Sequence, residues 1–153
     1  MFLRSLIEKE QWDAGVSFCA YLLPRREAVW WGCQSLRRLK PELSQAGLAP
    51  IEAAEAWVRE PEDEIRREAL RVGMRSDTLQ PAAWMALAAG WSGGSIIPPE
   101  YGVLEAGPEQ TARAVRAGIL IAMTQIPTEQ FPELVKPCLD GGIALASGSP
   151  GKA

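Results

Sequence analysis

The side chains with the most unusual chemistry in this sequence are two adjacent arginines that follow a proline. Arg25 and Arg26 fall in the first turn of the helix that Pro24 is expected to start, where the helix dipole disfavours positive charge. Arg26 precedes Trp30 by four residues, so one helical turn brings its guanidinium over the indole ring. Helix stability does not explain why two arginines stand at this position. Either they pair with acids of a neighbouring helix, or they bind a partner.

The acids that could pair with these arginines lie in the next part of the chain. Residues 24–40 carry five basic residues and one acidic residue, whereas residues 50–64 carry six acidic residues and one basic residue. The simplest interpretation is that the two stretches face one another or solvate their own helices, and the alternative is that one of them docks a partner. In the first case each arginine reaches an acid within 52–64. In the second, at least one points to solvent beside an exposed tryptophan edge.

Groups that commonly carry catalysis are sparse in this sequence. The chain has no histidine, which removes the commonest general base and the usual zinc and copper ligand. Cys19, Cys33 and Cys138 lie among apolar residues and fit neither a metal cluster nor an even disulfide framework, so we expect them in the core. The glycine-rich stretch at 93–95 lacks the lysine of a phosphate-binding loop. The sequence therefore predicts no enzyme, no cofactor and no metal site.

Length and composition set wider bounds on the class of protein. The chain has 153 residues, of which 47% are hydrophobic, and this suits one domain with its own core. A net charge of −3 argues against a nucleic-acid binder. No apolar run approaches the roughly 20 residues of a membrane span. Residues 1–9 have the pattern of an amphipathic helix rather than a signal peptide. We therefore expect a cytoplasmic protein that contacts neither nucleic acid nor membrane.

Helices must position these residues, because helix is the only regular structure that the pattern indicates. Prolines stand just before stretches with helical periodicity, and no long stretch alternates apolar and polar residues. The predicted helical segments are 1–9, 11–23, 24–40, 50–60, 61–76, 80–92, 108–126 and 128–139. We predict a single all-α domain over 1–140, with six to eight short helices in consecutive antiparallel hairpins around a central helix at 108–126. A flexible C-terminal tail is predicted over 141–153.

The apolar faces of these segments predict the core. Segment 108–126 is apolar on most sides in its second half, so it should be among the most buried. Trp30 and Trp31 lie about 100° apart on their helix, so that helix should contact two neighbours. Segment 61–76 begins with acids and ends with arginines, which predicts a solvated outer helix. The predicted core includes Trp12, Val29, Trp31, Cys33, Trp57, Trp84, Ile119 and Ala122.

Residues 93–107 form the one long irregular stretch, and loops of this length are often functional. Within it, Pro98-Pro99-Glu100-Tyr101 matches the Pro-Pro-x-Tyr pattern that WW domains bind. The alternative is a proline-stiffened crossover that carries Ile96, Ile97 and Tyr101 across the bundle. The candidate partner-binding residues are Arg25, Arg26, Trp30 and Tyr101.

One block of the sequence resembles a known family. Its residues are Tyr21-Leu22-Leu23-Pro24-Arg25-Arg26-Glu27-Ala28-Val29-Trp30-Trp31-Gly32-Cys33. They are similar to the signature block of a small bacterial family of unknown function, often encoded beside type VI secretion genes. The resemblance extends to about residue 146 and is specific in this block. It implies a Gram-negative cytoplasm and a role in effector loading or apparatus assembly, and it supplies no catalytic residues.

These observations predict a non-enzymatic protein-interaction module, an accessory or adaptor protein of a type VI secretion system. Its expected partner is a protein, either a secretion component or an effector. Two alternatives stay open at this point. One is a structural homodimer that uses its tryptophans as the interface, and the other is a hydrolase or transferase with an unrecognised site in the loop 93–107.

Overall fold

The computed structural model describes residues 2–41, 43 and 45–148, with only the backbone for residues 45–47. The helices are α1 (Phe2–Glu8), α2 (Trp12–Leu22), α3 (Arg25–Leu39), α4 (Gln45–Arg59), α5 (Asp63–Arg75), α6 (Pro81–Gly90), α7 (Gln110–Thr124) and α8 (Phe131–Ala146). Two 3-10 helices cover Pro99–Tyr101 and Thr128–Gln130. Within these ranges β pairing is limited to one isolated bridge, between Ser95 and Glu105. The predicted single all-α domain is confirmed.

Helices α3, α6 and α7 form the centre of the bundle. Helix α6 packs against α3, α4, α5 and α7, and nine of its ten residues are buried. Its many alanines let the surrounding helices approach its axis closely. Helix α7 packs against α2, α3 and α6, and it buries Val115, Ile119 and Ala122. The central position predicted for 108–126 is therefore shared with α6.

Successive helices pack against one another from α3 to α7, as the predicted series of helix pairs requires. Helix α8 instead returns to α2 and α3. The return depends on Gly142, because a Cβ at this position would lie only 2.6 Å from the Sγ atom of Cys19. On the α3 side, the indole Nε1 of Trp31 donates a hydrogen bond to the carbonyl oxygen of Cys138 at 2.7 Å. Close contact at a glycine and a buried hydrogen bond thus place α8.

Two helices extend beyond their predicted bounds, and each contains a proline. Helix α4 begins at Gln45 and contains Pro50, which is fully buried. Helix α8 contains Pro137 and continues to Ala146, with Ile143 buried. Proline lacks an amide N–H and usually marks the start of a helix. The predicted segments 50–60 and 128–139 therefore began α4 too late and ended α8 too early. The domain therefore extends beyond residue 140, and residues 149–153 of the predicted tail lie outside the described part.

Six of the eight predicted core residues are buried: Val29, Trp31, Cys33, Trp57, Ile119 and Ala122. Trp12 and Trp84 are partly buried and pack against that core. The indole Nε1 of Trp84 donates to the carbonyl oxygen of Thr78 at 2.9 Å, which keeps the polar end of this side chain near the surface. Of the described helices, none combines the length and the apolar character needed to cross a bilayer.

Candidate functional site

Arg25 joins the two ends of the loop 93–107. Its guanidinium donates from Nη1 to the carbonyl oxygen of Ser92 at 2.7 Å and from Nη2 to that of Pro108 at 3.2 Å. Ser92 directly precedes the loop and Pro108 directly follows it. One side chain in the first turn of α3 therefore closes the loop at its base.

Arg66 of α5 holds the interior of the same loop. Its side chain is buried, with a residue exposure of 3%. Nη1 donates to the carbonyl oxygen of Gly90 at 2.6 Å, and Nη2 donates to that of Ser95 at 2.7 Å. Asp63 supplies the opposite charge, accepting at Oδ1 from Nε and Nη2 at 2.9 and 2.8 Å. A buried guanidinium is tolerated because its N–H groups have partners and its charge is paired.

Arg67 adds a third attachment to the loop. Its Nη1 donates to the carbonyl oxygen of Ile97 at 2.9 Å, and its Nε donates to Oδ2 of Asp63 at 2.9 Å. Hydrogen bonds from Arg66 and Arg67 lower the pKa of the Asp63 carboxyl below its ordinary value. The i,i+4 spacing of α5 predicts Glu62–Arg66 and Asp63–Arg67 pairs on a solvated outer helix. The second pair forms, whereas Arg66 pairs with Asp63 in place of Glu62, and both arginines reach the loop.

Ser95 organises the loop from inside. Its Oγ accepts hydrogen bonds from the amide N–H groups of Leu104 at 3.1 Å and Ile97 at 3.3 Å. The amide of Ile96 donates to the carbonyl oxygen of Leu104 at 2.8 Å. Gly94 is required here, because its φ is +70° and a Cβ would lie 3.0 Å from Nη2 of Arg66. The base of the loop is thus a hydrogen-bonded structure rather than an open coil.

The far end of the loop, residues 98–104, is the part we call the loop tip. Its Tyr101, Val103 and Leu104 are 75%, 78% and 54% exposed. Pro99–Tyr101 form a 3-10 helix, closed by a hydrogen bond from the amide of Tyr101 to the carbonyl oxygen of Pro98 at 3.0 Å. The predicted crossover that carries Ile96, Ile97 and Tyr101 across the bundle fits the partly buried Ile96 and Ile97 but not the exposed Tyr101. The base of the loop is hydrogen-bonded to the bundle, and the apolar side chains of the tip are exposed.

Arg26 is exposed and bonds to the main chain of α4 rather than to an acid, while its predicted role toward a partner stays a prediction. Its Nε donates to the carbonyl oxygen of Val58 at 2.7 Å, near the end of α4, where helix carbonyls lack intrahelical partners and attract cations. No ion pair within the described ranges includes Arg25 or Arg26. The predicted pairing with acids of 52–64 was therefore wrong for both: they bond to main-chain oxygens instead.

The basic and acidic stretches do meet, at Arg37 of α3 and Glu55 of α4. Nε and Nη2 of the arginine donate to the two carboxylate oxygens at 2.7 and 2.8 Å. Glu55 is buried, and the two parallel hydrogen bonds neutralise its charge. The interpretation that the two stretches face each other is confirmed at this pair.

Trp30 and Trp31 point to different neighbours, as their spacing on the helix predicts. Trp31 is buried against α8. Trp30 is partly buried and lines an open groove of about 310 Å³ with Arg26, Glu27, Val58 and Arg59. The Nε1 atom of Trp30 is buried and has no hydrogen-bond acceptor among the described residues. Such a donor ordinarily costs about 1–3 kcal/mol of folding free energy.

The four predicted partner-binding residues therefore belong to two surfaces. Arg26 and Trp30 line the groove beside α4, whereas Arg25 supports the loop that carries Tyr101. Sequence reasoning missed Arg59, Arg66, Arg67, Val103 and Leu104. Only the last two had a usable signal, since they are apolar residues in a stretch rich in glycine and proline.

Cysteine thiols and clusters of acidic residues are two further kinds of group that can carry chemistry. All three cysteines are buried free thiols, and burial raises the pKa of Cys19 to about 12. A raised pKa lowers the thiolate fraction, and the thiolate is the nucleophile. In the described part, His, Cys, Asp and Glu form no group of three or more able to hold a metal ion.

A protein-family model matches residues 2–146, which cover all eight helices, the loop and the block at 21–33. The chain belongs to the DUF6931 family of unknown function. This agrees with the predicted resemblance to a family of unknown function, while its secretion context stays a prediction. No curated protein and no solved structure matches the chain.

Proposed function

We propose that this DUF6931 protein is a non-enzymatic protein-interaction module that serves as an accessory or adaptor protein of a type VI secretion system. The observation that carries the proposal is the loop tip, where three apolar side chains are exposed on a segment whose base is held by three arginines. Exposed apolar residues that cluster on a surface mark interaction sites more often than isolated ones do.

The arginine contacts matter for binding because they reduce its entropic cost. Ordering one flexible side chain at an interface costs about 0.5–1.5 kcal/mol, and ordering a whole loop costs more. Arg25, Arg66 and Arg67 order the loop within the free protein. Tyr101, Val103 and Leu104 are then offered to a partner in a conformation already formed.

The secretion context is supported by the block at 21–33, which resembles that of a family often encoded beside type VI secretion genes. Arg25 lies in this block and holds the ends of the loop, so the block and the loop tip are physically connected. The expected partner is a secretion component or an effector.

A homodimer built on the tryptophans has less support. All six tryptophans are buried or partly buried, and the exposed large hydrophobic residues are other types. An interface built on several tryptophan rings would require side chains that the fold already covers, as it covers Trp31 and Trp57.

The proposal is tested by affinity capture from a secretion-competent host, followed by mass spectrometry. We compare the wild type with the tip variant Val103→Ser/Leu104→Ser. The matched control is Met74→Ser/Leu79→Ser, which removes two apolar side chains of similar exposure, 69% and 75%, outside the loop. Wild type and control should capture a secretion component or effector, and the tip variant should lose it.

Two results would count against this proposal. If the wild type captures no secretion component or effector, the adaptor role fails. If the tip variant captures the partner as well as the control does, the loop tip is not the binding surface.

A further inference from the structure

A row of side chains at four-residue intervals runs along the outer face of α3. Each four-residue step turns about 40° beyond one full helical turn, so neighbours in the row lie close together and the row winds about 120° around α3 between Arg26 and Arg38. Helices α4 and α8 both pack against α3 and border this row. Two adjoining spaces share Trp30: one lies between α3 and α4, and the other lies between α3 and α8. We call them together the α3 groove, which includes Arg26, Trp30, Gln34 and Arg38 of α3, Val58 and Arg59 of α4, and Pro137 and Leu145 of α8.

The α3 groove has a wide end and a narrow end. The wide end is the open space of about 310 Å³ near Arg26 and Arg59. The narrow end is a crevice of about 60 Å³ that includes Arg38 and Pro137. Trp30 borders both spaces, so its indole ring forms the middle of the groove.

The groove is basic on a protein whose net charge is −3. Arg26, Arg38 and Arg59 are exposed, and none forms an ion pair within the described residues. Arg26 uses Nε for the carbonyl oxygen of Val58, which leaves its Nη atoms directed to no described acceptor. Glu27 is the single acid among the lining residues. Because the groove has three positive side chains and one negative side chain, it favours a ligand that carries carboxylate groups.

We propose that the α3 groove binds an extended acidic segment of a protein partner, with an apolar side chain against Trp30 and carboxylates at the arginines of both ends. The inference rests on the proposed function, since it assigns the partner's chemistry to a second surface of the same interaction module. Tryptophan and arginine are the residues that most often dominate binding energy at interfaces.

The dimensions favour an extended segment over a helix. Twelve residues of helix separate Arg26 from Arg38, which corresponds to about 18 Å. An extended chain covers that distance in roughly five or six residues. A helix with side chains is about 10 Å wide, whereas the crevice beside Arg38 encloses only about 60 Å³.

The probe is a synthetic nonapeptide with two glutamates at each end and one leucine in the middle, titrated into ¹⁵N-labelled full-length protein. Trp30→Phe identifies the Trp30 indole resonance by its absence from the spectrum. The probe should shift that resonance, and fluorescence polarisation of the labelled probe should give a saturable curve that weakens with salt. A peptide with glutamine in place of each glutamate should bind far more weakly.

Charge reversal then locates the contact. Arg59→Glu and Arg38→Glu should each weaken probe binding by about tenfold, because each loses a charge-assisted hydrogen bond and gains a repulsion. The matched control is Arg4→Glu, the same charge change at an exposed residue of α1, which packs on α2 and α8 and lines neither end of the groove. The control should bind the probe as the wild type does, and thermal melting of all variants verifies folding.

Several results would overturn the inference. These are an unshifted Trp30 resonance, equal weakening in Arg4→Glu, equal binding of the glutamine peptide, or tighter binding of a single-stranded oligonucleotide of the same charge. Concentration-dependent self-association abolished by Arg59→Glu would also overturn it, since a second copy would then occupy the groove. If the probe fails while tip-dependent capture persists, the groove inference falls and the proposed function stands. If the wild type captures no secretion component or effector, it is the proposed function that is contradicted.

Discussion

The Nη2 atom of Arg66 donates a hydrogen bond to the carbonyl oxygen of Ser95 at 2.7 Å, and this buried contact ties the loop 93–107 to α5. The two residues are 29 positions apart in the chain. Because the same guanidinium also binds the carbonyl oxygen of Gly90, the end of α6 and the start of the loop depend on one side chain. The shape of the loop is therefore a property of the bundle.

Replacement of Arg66 should destabilise the whole domain. Arg66→Ala leaves the carbonyl oxygens of Gly90 and Ser95 without their donor in a buried site, so we expect a loss of about 2–4 kcal/mol in the free energy of unfolding. Arg71→Ala is the control, because Arg71 is exposed on the same helix and pairs with Glu68, and its loss should stay below about 1 kcal/mol. Urea denaturation measures both. Equal losses would show that Arg66 acts only as a surface charge.

Arg25 should control the order of the loop more than the stability of the domain. Lysine cannot present two N–H groups to carbonyl oxygens in the fixed geometry of a guanidinium, so Arg25→Lys should release one end of the loop. Hydrogen exchange at the amides of Ile96 and Leu104 should accelerate, while the midpoint of thermal unfolding falls only slightly. Exchange at α7 amides is the internal reference. Unchanged loop protection would mean that Arg66 and Arg67 suffice to hold the loop.

Two adjacent glycines of α8 should respond in opposite directions to alanine. At Gly142 a Cβ would lie 2.6 Å from Sγ of Cys19 and 3.1 Å from Nε1 of Trp31, so Gly142→Ala should destabilise by about 1–3 kcal/mol. At Gly141 a Cβ meets nothing within 4 Å, and Gly141→Ala should stabilise by about 0.5–1 kcal/mol because alanine favours helix. Denaturation curves of the two variants test this placement of α8. If both variants were destabilised, the placement would be contradicted.

A fall in pH should weaken the contacts by which α5 binds the loop. The pKa of Asp63 is lowered in the folded protein by hydrogen bonds from Arg66 and Arg67, so its carboxylate stabilises the fold above the ordinary pKa of 3.8. That contribution is lost as the pH falls through the lower, folded pKa. The stability difference between wild type and Asp63→Asn should be constant above about pH 5 and shrink below it. A difference that stays constant down to pH 2 would argue against the carboxylate contacts.

The repeating pattern of apolar residues was enough to predict the helices and much of the core. Val29 and Cys33 lie four positions apart and are both buried, as are Ile119 and Ala122 three positions apart. Such periodicity is a local property, because one helix face needs only its own spacing to be apolar. The boundaries at Pro50 and Pro137 were less predictable, since the contacts that keep a proline inside a helix come from other helices.

The partners of the arginines could not be predicted in the same way. The sequence identified Arg25 and Arg26 as unusual, and charge balance then suggested carboxylates as their partners. Their observed acceptors are the main-chain oxygens of Ser92, Pro108 and Val58. Every residue has a carbonyl oxygen, so no residue type marks one as an acceptor. Only the tertiary structure brings the unpaired carbonyls at helix ends and loop bases within reach of a long side chain.

The sequence by itself determined an all-α domain with a basic and an acidic stretch, because these depend on local periodicity and on residue charge. That the two stretches meet was one of the interpretations it left open, and the Arg37–Glu55 pair decided this. The tertiary structure decided that α5 supports a loop, that the loop exposes Val103 and Leu104, and that Arg26 and Arg59 border one groove. Those relationships join residues tens of positions apart. They depend on how rigid helices pack, and packing is set by the shapes of all the contacting faces together.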